Sequence, residues 1–175
     1  MEKKLKRQEI YDGKVIHVVL DDVKLDDGSE AKREVVLHNG GACIALQDDD
    51  GCFFMVRQYR YAAGEEMLEF CAGKLEKGEE PDDAIIRECH EELGYECKNL
   101  KSYGHIVPTC GYCNEKIYLY YGQKGAYIGQ NLDQDERLML EKYSLKQIKE
   151  MIRNGVIHDA KTIALVLAME MDGIE

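Results

Sequence analysis

The 175 residues include no tryptophan, three phenylalanines and only two prolines, Pro81 and Pro108. Without Trp there is no indole face on which a planar ligand can stack, so any stacking must fall to another side chain. With so little proline and no internal repeat, no low-complexity tract interrupts the chain. Long apolar runs are also missing. None approaches the ~20 residues that a membrane-spanning helix needs, and the polar leading segment lacks the pattern of a signal peptide. Positive charge is in the minority, with 23 Lys and Arg against 34 Asp and Glu, a formal net charge of −11 at pH 7. That balance argues against a nucleic-acid strand or an anionic membrane as partner. These deficits predict a soluble, cytoplasmic protein of one domain's length with room for a small appendage, large enough to bury a core without disulfide staples.

Seven cysteines are present, an odd number mostly within apolar-looking segments, which reads as reduced core thiols. The spacing Cys110-Gly-Tyr-Cys113 admits half of a zinc site or a redox pair. A redox pair calls for a thioredoxin-like setting, and none is nearby. Zinc needs two further ligands, and Cys97, His90 and His105 do not stand at a familiar spacing.

Alternating β-branched residues over 8–20 predict a strand pair around Asp12-Gly13, and further strands are expected over 21–26 and 31–38 across the turn Asp26-Asp27-Gly28. Gly40-Gly41 then breaks the chain, dividing N-terminal antiparallel strands (1–40) from a larger domain (41–175). Residues 42–47 and 52–58 read as a hairpin whose continuous apolar character predicts burial on both faces. A helix is expected over 81–93, with Pro81 in its first turn, Asp82 and Asp83 at the positive end of its dipole, and Gly94 as a left-handed cap. Strands return at 98–106 and 115–122. A helix follows at 144–154 from a Ser144 cap, and a last one spans about 159–171 from an Asp159 cap, burying Ile163, Val166, Leu167 and Met171. The pattern predicts an α+β sandwich with helices on both faces of a mixed sheet.

The chemistry concentrates in Gly73–Tyr95, GKLEKGEEPDDAIIRECHEELGY. At about 100° per helical residue, Glu91 falls near −60° and Glu92 near +40° from Glu88, so three carboxylates share one face. Ile85, Ile86, Cys89 and Leu93 form an adjoining arc. Acidic residues at i, i+3 and i+4 repel one another. Runs of this kind usually mark a solvated face, here screened by Arg87. Divalent Mg²⁺ or Mn²⁺, which favour carboxylate oxygens, is the other way to offset the repulsion.

The spacing resembles the Nudix box, G-x5-E-x7-R-E-U-x-E-E-x-G-U with U bulky and apolar. Gly73, Glu79, Arg87, Glu88, Glu91, Glu92 and Gly94 match all seven fixed letters. With each letter at about 7% frequency, chance produces this roughly once in 10⁸ start positions. The resemblance implies a divalent-metal-dependent hydrolase of nucleoside diphosphates linked to another group. It implies metal ligation by Glu88, Glu91, Glu92 and the backbone carbonyl of Ala72, and a bracing pair between Arg87 and Glu79.

Similarity extends over most of residues 9–170 to the ADP-ribose pyrophosphatase branch. VRQYR and LEFCAGKLEKGE are similar to that branch's V-x-Q-Y-R and L-E-x-P-A-G, which implies that Arg60 binds substrate phosphate and that Glu69 lines the same site. Cys71 replaces the expected proline. The branch's S-P-G is represented by Thr109-Cys110-Gly111, with Pro108 displaced by two, a departure at the usual flag for ADP-ribose preference. LDQDERLML resembles the acidic loop that carries the general base, which implies Glu136 in that role with Asp135 as fallback. The N-terminal strands resemble a sheet swapped across a homodimer, in which Arg33 and Glu34 reach the nucleobase. Tyr11, Tyr59 and Arg33 are the candidates to stack it. ADP-ribose is the expected substrate, with GDP- and UDP-sugars as alternatives, followed by a non-catalytic ligand-binding module.

Overall fold

A computed structural model describes residues 1–132, 134 and 137–174. The chain divides into two compact units: Met1–Gly40 with Val107–Lys116, and Gly41–Ile106 with the remainder from Ile117.

In the first unit β1 (Lys3–Asp12), β2 (His17–Lys24) and β3 (Glu30–Leu37) form an antiparallel sheet in that order. The expected break near residue 20 is absent, and β2 runs unbroken through Asp21 and Asp22. Asp21 reads as a turn former in isolation, yet it faces inward between Val19 and Val23 and is buried. Arg7 on β1 neutralises it with two bonds, from Nε at 2.8 Å and Nη2 at 2.7 Å, which lets the strand continue. Residues 107–116 join this unit through Val36, whose N–H donates to the Tyr112 carbonyl at 2.7 Å and whose carbonyl accepts from Asn114 N–H at 3.1 Å. Cys113 makes an isolated bridge to Val36.

The second unit is built on a seven-stranded sheet. It contains β4 (Gly41–Gln47), β5 (Phe53–Arg60), β6 (Glu65–Glu69), β7 (Cys71–Lys74), β8 (Tyr95–Ile106), β9 (Ile117–Tyr127) and β10 (Leu138–Tyr143). The main path runs β10-β5-β4-β9-β8, with β6 beside β5 and β7 beside β4. Among the described residues only the β4–β9 pairing of this sheet is parallel, so the sheet is mixed. Side chains of β4 alternate between two cores. Cys43 and Ala45 join Phe53, Met55 and residues of α2 (Leu145–Arg153) and α3 (Ala160–Met171). Ala42, Ile44 and Leu46 join Phe54, Val56 and residues of α1 (Pro81–Glu88). This two-sided burial is why β4 reads as an uninterrupted apolar run. The sequence pattern does not predict β6, β7 or β10, which are short and carry mixed polarity.

Helix α2 begins at a capping box, with Ser144 Oγ accepting from Gln147 N–H and the Gln147 side chain accepting from Ser144 N–H. Helix α3 starts at the Asp159 cap. Its buried face consists of Thr162, Leu165, Val166 and Met169, whereas Ile163, Leu167 and Met171 are 37, 56 and 83% exposed. Because α3 is apolar nearly all round, its pattern names no unique face. Its rotation is held by Thr162, whose hydroxyl donates to Asp159 and accepts from Phe70 N–H at 3.0 Å.

The β4–β5 turn is clamped by charge. Asp48 pairs with Lys124 at 2.7 Å and with Lys142, which also reaches Asp50. Burial works to raise the Asp48 pKa, but the two ammonium groups overcome it and hold the carboxyl at about 2. With the folded value below the ordinary one, the clamp stabilises fully above about pH 4 and is lost as pH falls toward 2. Asp48→Asn is therefore expected to lower stability at pH 7 by on the order of 1 kcal/mol in urea denaturation, and the difference from wild type should vanish near pH 2.

Candidate active site

Strand β7 leads through a loop into α1, and the loop closes on Glu79, whose Oε2 accepts from Glu76 N–H at 2.8 Å. Pro81 occupies the first helical position, where its missing N–H costs nothing. The expected helix over 81–93 is not uniform. After Glu88 the chain widens into a π-helical turn, Cys89–Leu93, that ends at Gly94 in the left-handed region with φ 77°. The widened turn is supported from outside, because Asn131 N–H donates to the Glu91 carbonyl at 3.0 Å and Gln130 Nε2 to the Glu92 carbonyl at 2.6 Å. A Cβ on Gly94 would lie 2.9 Å from both Gln130 N and Tyr127 Cε2, so space as well as backbone angle demands glycine there. The 100° spacing therefore does not hold beyond Glu88. Glu88 and Glu92 are buried and Glu91 is half-buried. Ile85, Cys89 and Leu93 anchor the segment, while Ile86 is 48% exposed and does not.

Arg87 ties these acids together. Its Nε and Nη2 donate to Glu79 at 2.9 and 3.1 Å, and Nη2 also reaches the Lys74 carbonyl at 3.2 Å. Its Nη1 donates to Glu88 Oε1 and Glu91 Oε2, both at 2.8 Å. The hydrogen bond from Arg87 holds the Glu79 carboxyl below its ordinary value against the effect of burial. Gly73 lies beneath Glu88: a Cβ there would fall 1.8 Å from the Glu88 carboxylate, which can occupy its place only above a glycine. Ala72 precedes it on β7, opposite Cys43 of β4.

These residues suit a divalent cation in their chemistry. Two carboxylate oxygens already converge on one cationic nitrogen, Arg87 Nη1, and all the donors are hard oxygens. Among the described residues no group of three or more His, Cys, Asp or Glu side chains is already arranged to hold a metal ion.

A second ionic cluster lies in the same unit. Arg60 Nε donates to Glu69 Oε1 at 2.6 Å, Lys161 Nζ donates to Glu69 Oε2, and Lys161 also pairs with Asp159 at 2.8 Å. Glu69 is 1% exposed. Burial works to lower the Arg60 pKa, but Glu69, with smaller contributions from Glu92 and Asp159, raises it. Lys161 is the residue that sequence reasoning missed. Just after the Asp159 cap it reads as part of a packing helix, although an ammonium in the first turn stands at the unfavourable end of the dipole.

Arg33, Glu34, Tyr11, Cys110 and Gly111 fall in the first unit, and Tyr59 lies on β5 of the second. Arg33 pairs with Glu2 through Nε at 3.0 Å and Nη2 at 2.6 Å. Glu34 lines a cavity of about 320 Å³ with Ile10, Val18, Leu20, Val36 and Tyr112. Gly111 lies in a turn whose ends are joined by Cys113 N–H donating to the Thr109 carbonyl at 3.0 Å. Cys110 is exposed and Cys113 half-buried. Tyr11 and Tyr59 are each 57% exposed. Glu136 and Asp135, the expected general base and its fallback, lie outside the described residues.

A model of the NUDIX domain matches residues 37–166. The chain belongs to the NUDIX domain family. It is 35% identical over 173 residues to a methanol dehydrogenase activator of Bacillus methanolicus, covering 97% of this chain and 93% of that one. It is 31% identical over 172 residues to an ADP-ribose pyrophosphatase of Bacillus subtilis (strain 168), with the same coverage. A GDP-mannose pyrophosphatase of Escherichia coli O1:K1 / APEC is 30% identical over 169 residues, covering 89% and 87%. The crystal structure of an ADP compounds hydrolase superposes with a TM-score of 0.85 over 99% of this chain and 97% of the other, at 16% identity, and so shares the Nudix fold.

Gly73→Ala should force the Glu88 carboxylate aside. The expected cost is about 1–3 kcal/mol, typical of overpacking, read by urea denaturation. Wild-type stability would mean that Glu88 does not rest over Gly73.

Proposed function

We propose that this Nudix protein is a divalent-metal-dependent hydrolase of nucleoside diphosphate sugars, with ADP-ribose the favoured substrate and AMP and ribose 5-phosphate the products. The observation that carries this reading is the convergence of Glu88 and Glu91 on a single cationic nitrogen, beside buried Glu92 and above Gly73. A surface built only for stability gains nothing from clustering these acids. A cation held there by Glu88, Glu91, Glu92 and the Ala72 carbonyl, Mg²⁺ or Mn²⁺, would offset diphosphate charge and lower the pKa of a bound water. Arg60, gripped through Nε by Glu69, meets the diphosphate with its remaining donors. Glu136, or Asp135 in its place, takes the proton of the attacking water. The oxygen of that water bonds to one phosphorus as the bridging P–O bond breaks, leaving two phosphomonoesters. Arg33, Glu34 and Gly111 are assigned to the nucleoside end, and Arg87, Glu79 and Gly73 brace the carboxylates.

Names of relatives support both the favoured and the alternative sugar: ADP-ribose in the B. subtilis protein and GDP-mannose in the E. coli one. No helix is long and apolar enough to cross a membrane among the described residues. We assign the protein to the cytoplasm as a homodimer that exchanges its N-terminal strands and binds neither nucleic acid nor membrane.

The test is a panel of ADP-ribose, GDP-mannose and UDP-sugars with Mg²⁺ or Mn²⁺, read by phosphomonoester release. ADP-ribose should be the best substrate, and chelation should abolish turnover. A GDP-sugar turned over faster would reassign the base, and no turnover of any member would refute the reading. Glu92→Gln should lower kcat by more than about a hundredfold, beyond the range for residues that only support metal ligands, with folding intact by circular dichroism.

A further inference from the structure

Among the described residues, four other arginines are seen to pair with a carboxylate through Nε: Arg7 with Asp21, Arg33 with Glu2, Arg57 with Glu141, and Arg87 with Glu79. Each of these adds a second bond from Nη2 to the other carboxylate oxygen. That two-pronged geometry is the favoured one for a guanidinium and a carboxylate. Arg60 departs from it. Its Nε donates to Glu69 Oε1, and neither Nη group donates to any described residue. The second oxygen of Glu69 is already taken by the ammonium of Lys161.

Neutralising a buried carboxylate does not by itself require two cations. Asp21, whose side chain is 9% exposed, has Arg7 as its one ion-pair partner among the described residues. Nor does Lys161 stand where a helix wants it, since it follows the Asp159 cap in the first turn of α3, at the positive end of the dipole. Its side chain is 12% exposed and spans Glu69 and Asp159, with Asp159 in turn fixed by Thr162 N–H at 2.9 Å.

We propose that Lys161 is a positioning residue for anion binding: by occupying Glu69 Oε2 it holds Arg60 to a single bond and leaves both Nη groups for the diphosphate. The inference rests on the assignment of Arg60 to the diphosphate made above. Without the ammonium, Oε2 is open to Arg60 Nη2, and the pair closes into the two-pronged form seen at Arg7, Arg33, Arg57 and Arg87. The guanidinium is then turned toward Glu69, and one of its donors is withdrawn from the substrate. Asp159 and Thr162 keep Lys161 in reach of Glu69, so the end of α3 is part of the anion site although it touches no phosphate.

The experiment is a double-mutant cycle read by calorimetric titration of inorganic diphosphate with Mg²⁺. Lys161→Met should weaken binding by about tenfold, the loss of roughly one charge-assisted hydrogen bond. Lys161→Gln, which keeps a neutral donor for Oε2 and a polar end beside Asp159, should fall between it and wild type, and serves if the Met variant does not fold. In an Arg60→Ala background neither change at residue 161 should weaken binding further. With a nucleoside diphosphate sugar, KM should rise while kcat stays within about twofold, as for an interaction equal in ground and transition states. Additive losses, wild-type affinity in Lys161→Met and Lys161→Gln, or no diphosphate binding by wild type would each overturn the proposal. A cycle that behaves as expected in a protein that cleaves no nucleotide sugar would refute the function and leave the role of Lys161 standing.

Discussion

Everything at the carboxylate face depends on one guanidinium. Glu79, Glu88 and Glu91 repel one another, and two of the three are largely shielded from water. Arg87 reaches all of them and the Lys74 carbonyl besides, so the loop before α1, the end of α1 and the π-helical turn are tied to one side chain. A planar group with five donors can do this, whereas a single ammonium cannot span the same positions. The arrangement also keeps Glu88 and Glu91 directed at a shared point. A metal and a diphosphate would meet groups already arranged to face positive charge, and the ordering cost falls on folding rather than on binding.

The second constraint is the burial of β4 on both faces. Its alternate side chains bind α1 and the π-helical turn on one side and α2 and α3 on the other. The helix that carries the acids and the helix that carries Lys161 thus take their positions from the same strand and its neighbour β5. Arg60 ends β5, Glu69 ends β6 and Lys161 lies in the first turn of α3, so the cluster they form is set by packing far along the chain. The link through Phe70 N–H and Thr162 Oγ1 shows how closely this is held, because a backbone donor of the β6–β7 connection supplies the bond that fixes the rotation of α3.

Much of the fold was legible, and for identifiable reasons. Capping residues such as Ser144 and Asp159, and the glycine at 94, act through their nearest neighbours, so their signals survive in one dimension. The unbroken β2 was not legible, because Asp21 is kept in a strand by Arg7 fourteen residues away. The buried face of α3 was hidden for the opposite reason: too many of its residues are apolar for pattern to choose among them. The widening after Glu88 was invisible because its support comes from Gln130 and Asn131, which nothing local associates with the helix.

By itself the sequence determined which acids, which arginine and which glycines belong together, since their spacing in Gly73–Tyr95 is a local property of one loop and one helix. It also pointed to a Nudix-type mixed sheet with helices on both faces, because two-sided burial leaves a continuous apolar run in the strands. Tertiary structure alone decided how the acids are presented: Glu92 is turned into the interior by a π-helical turn braced from residues 130 and 131, and Glu88 is seated over Gly73. It alone brought Lys161 to Glu69 across ninety-two positions of chain. Pairings at that separation are set by sheet order and helix packing, and no periodicity within a segment records them.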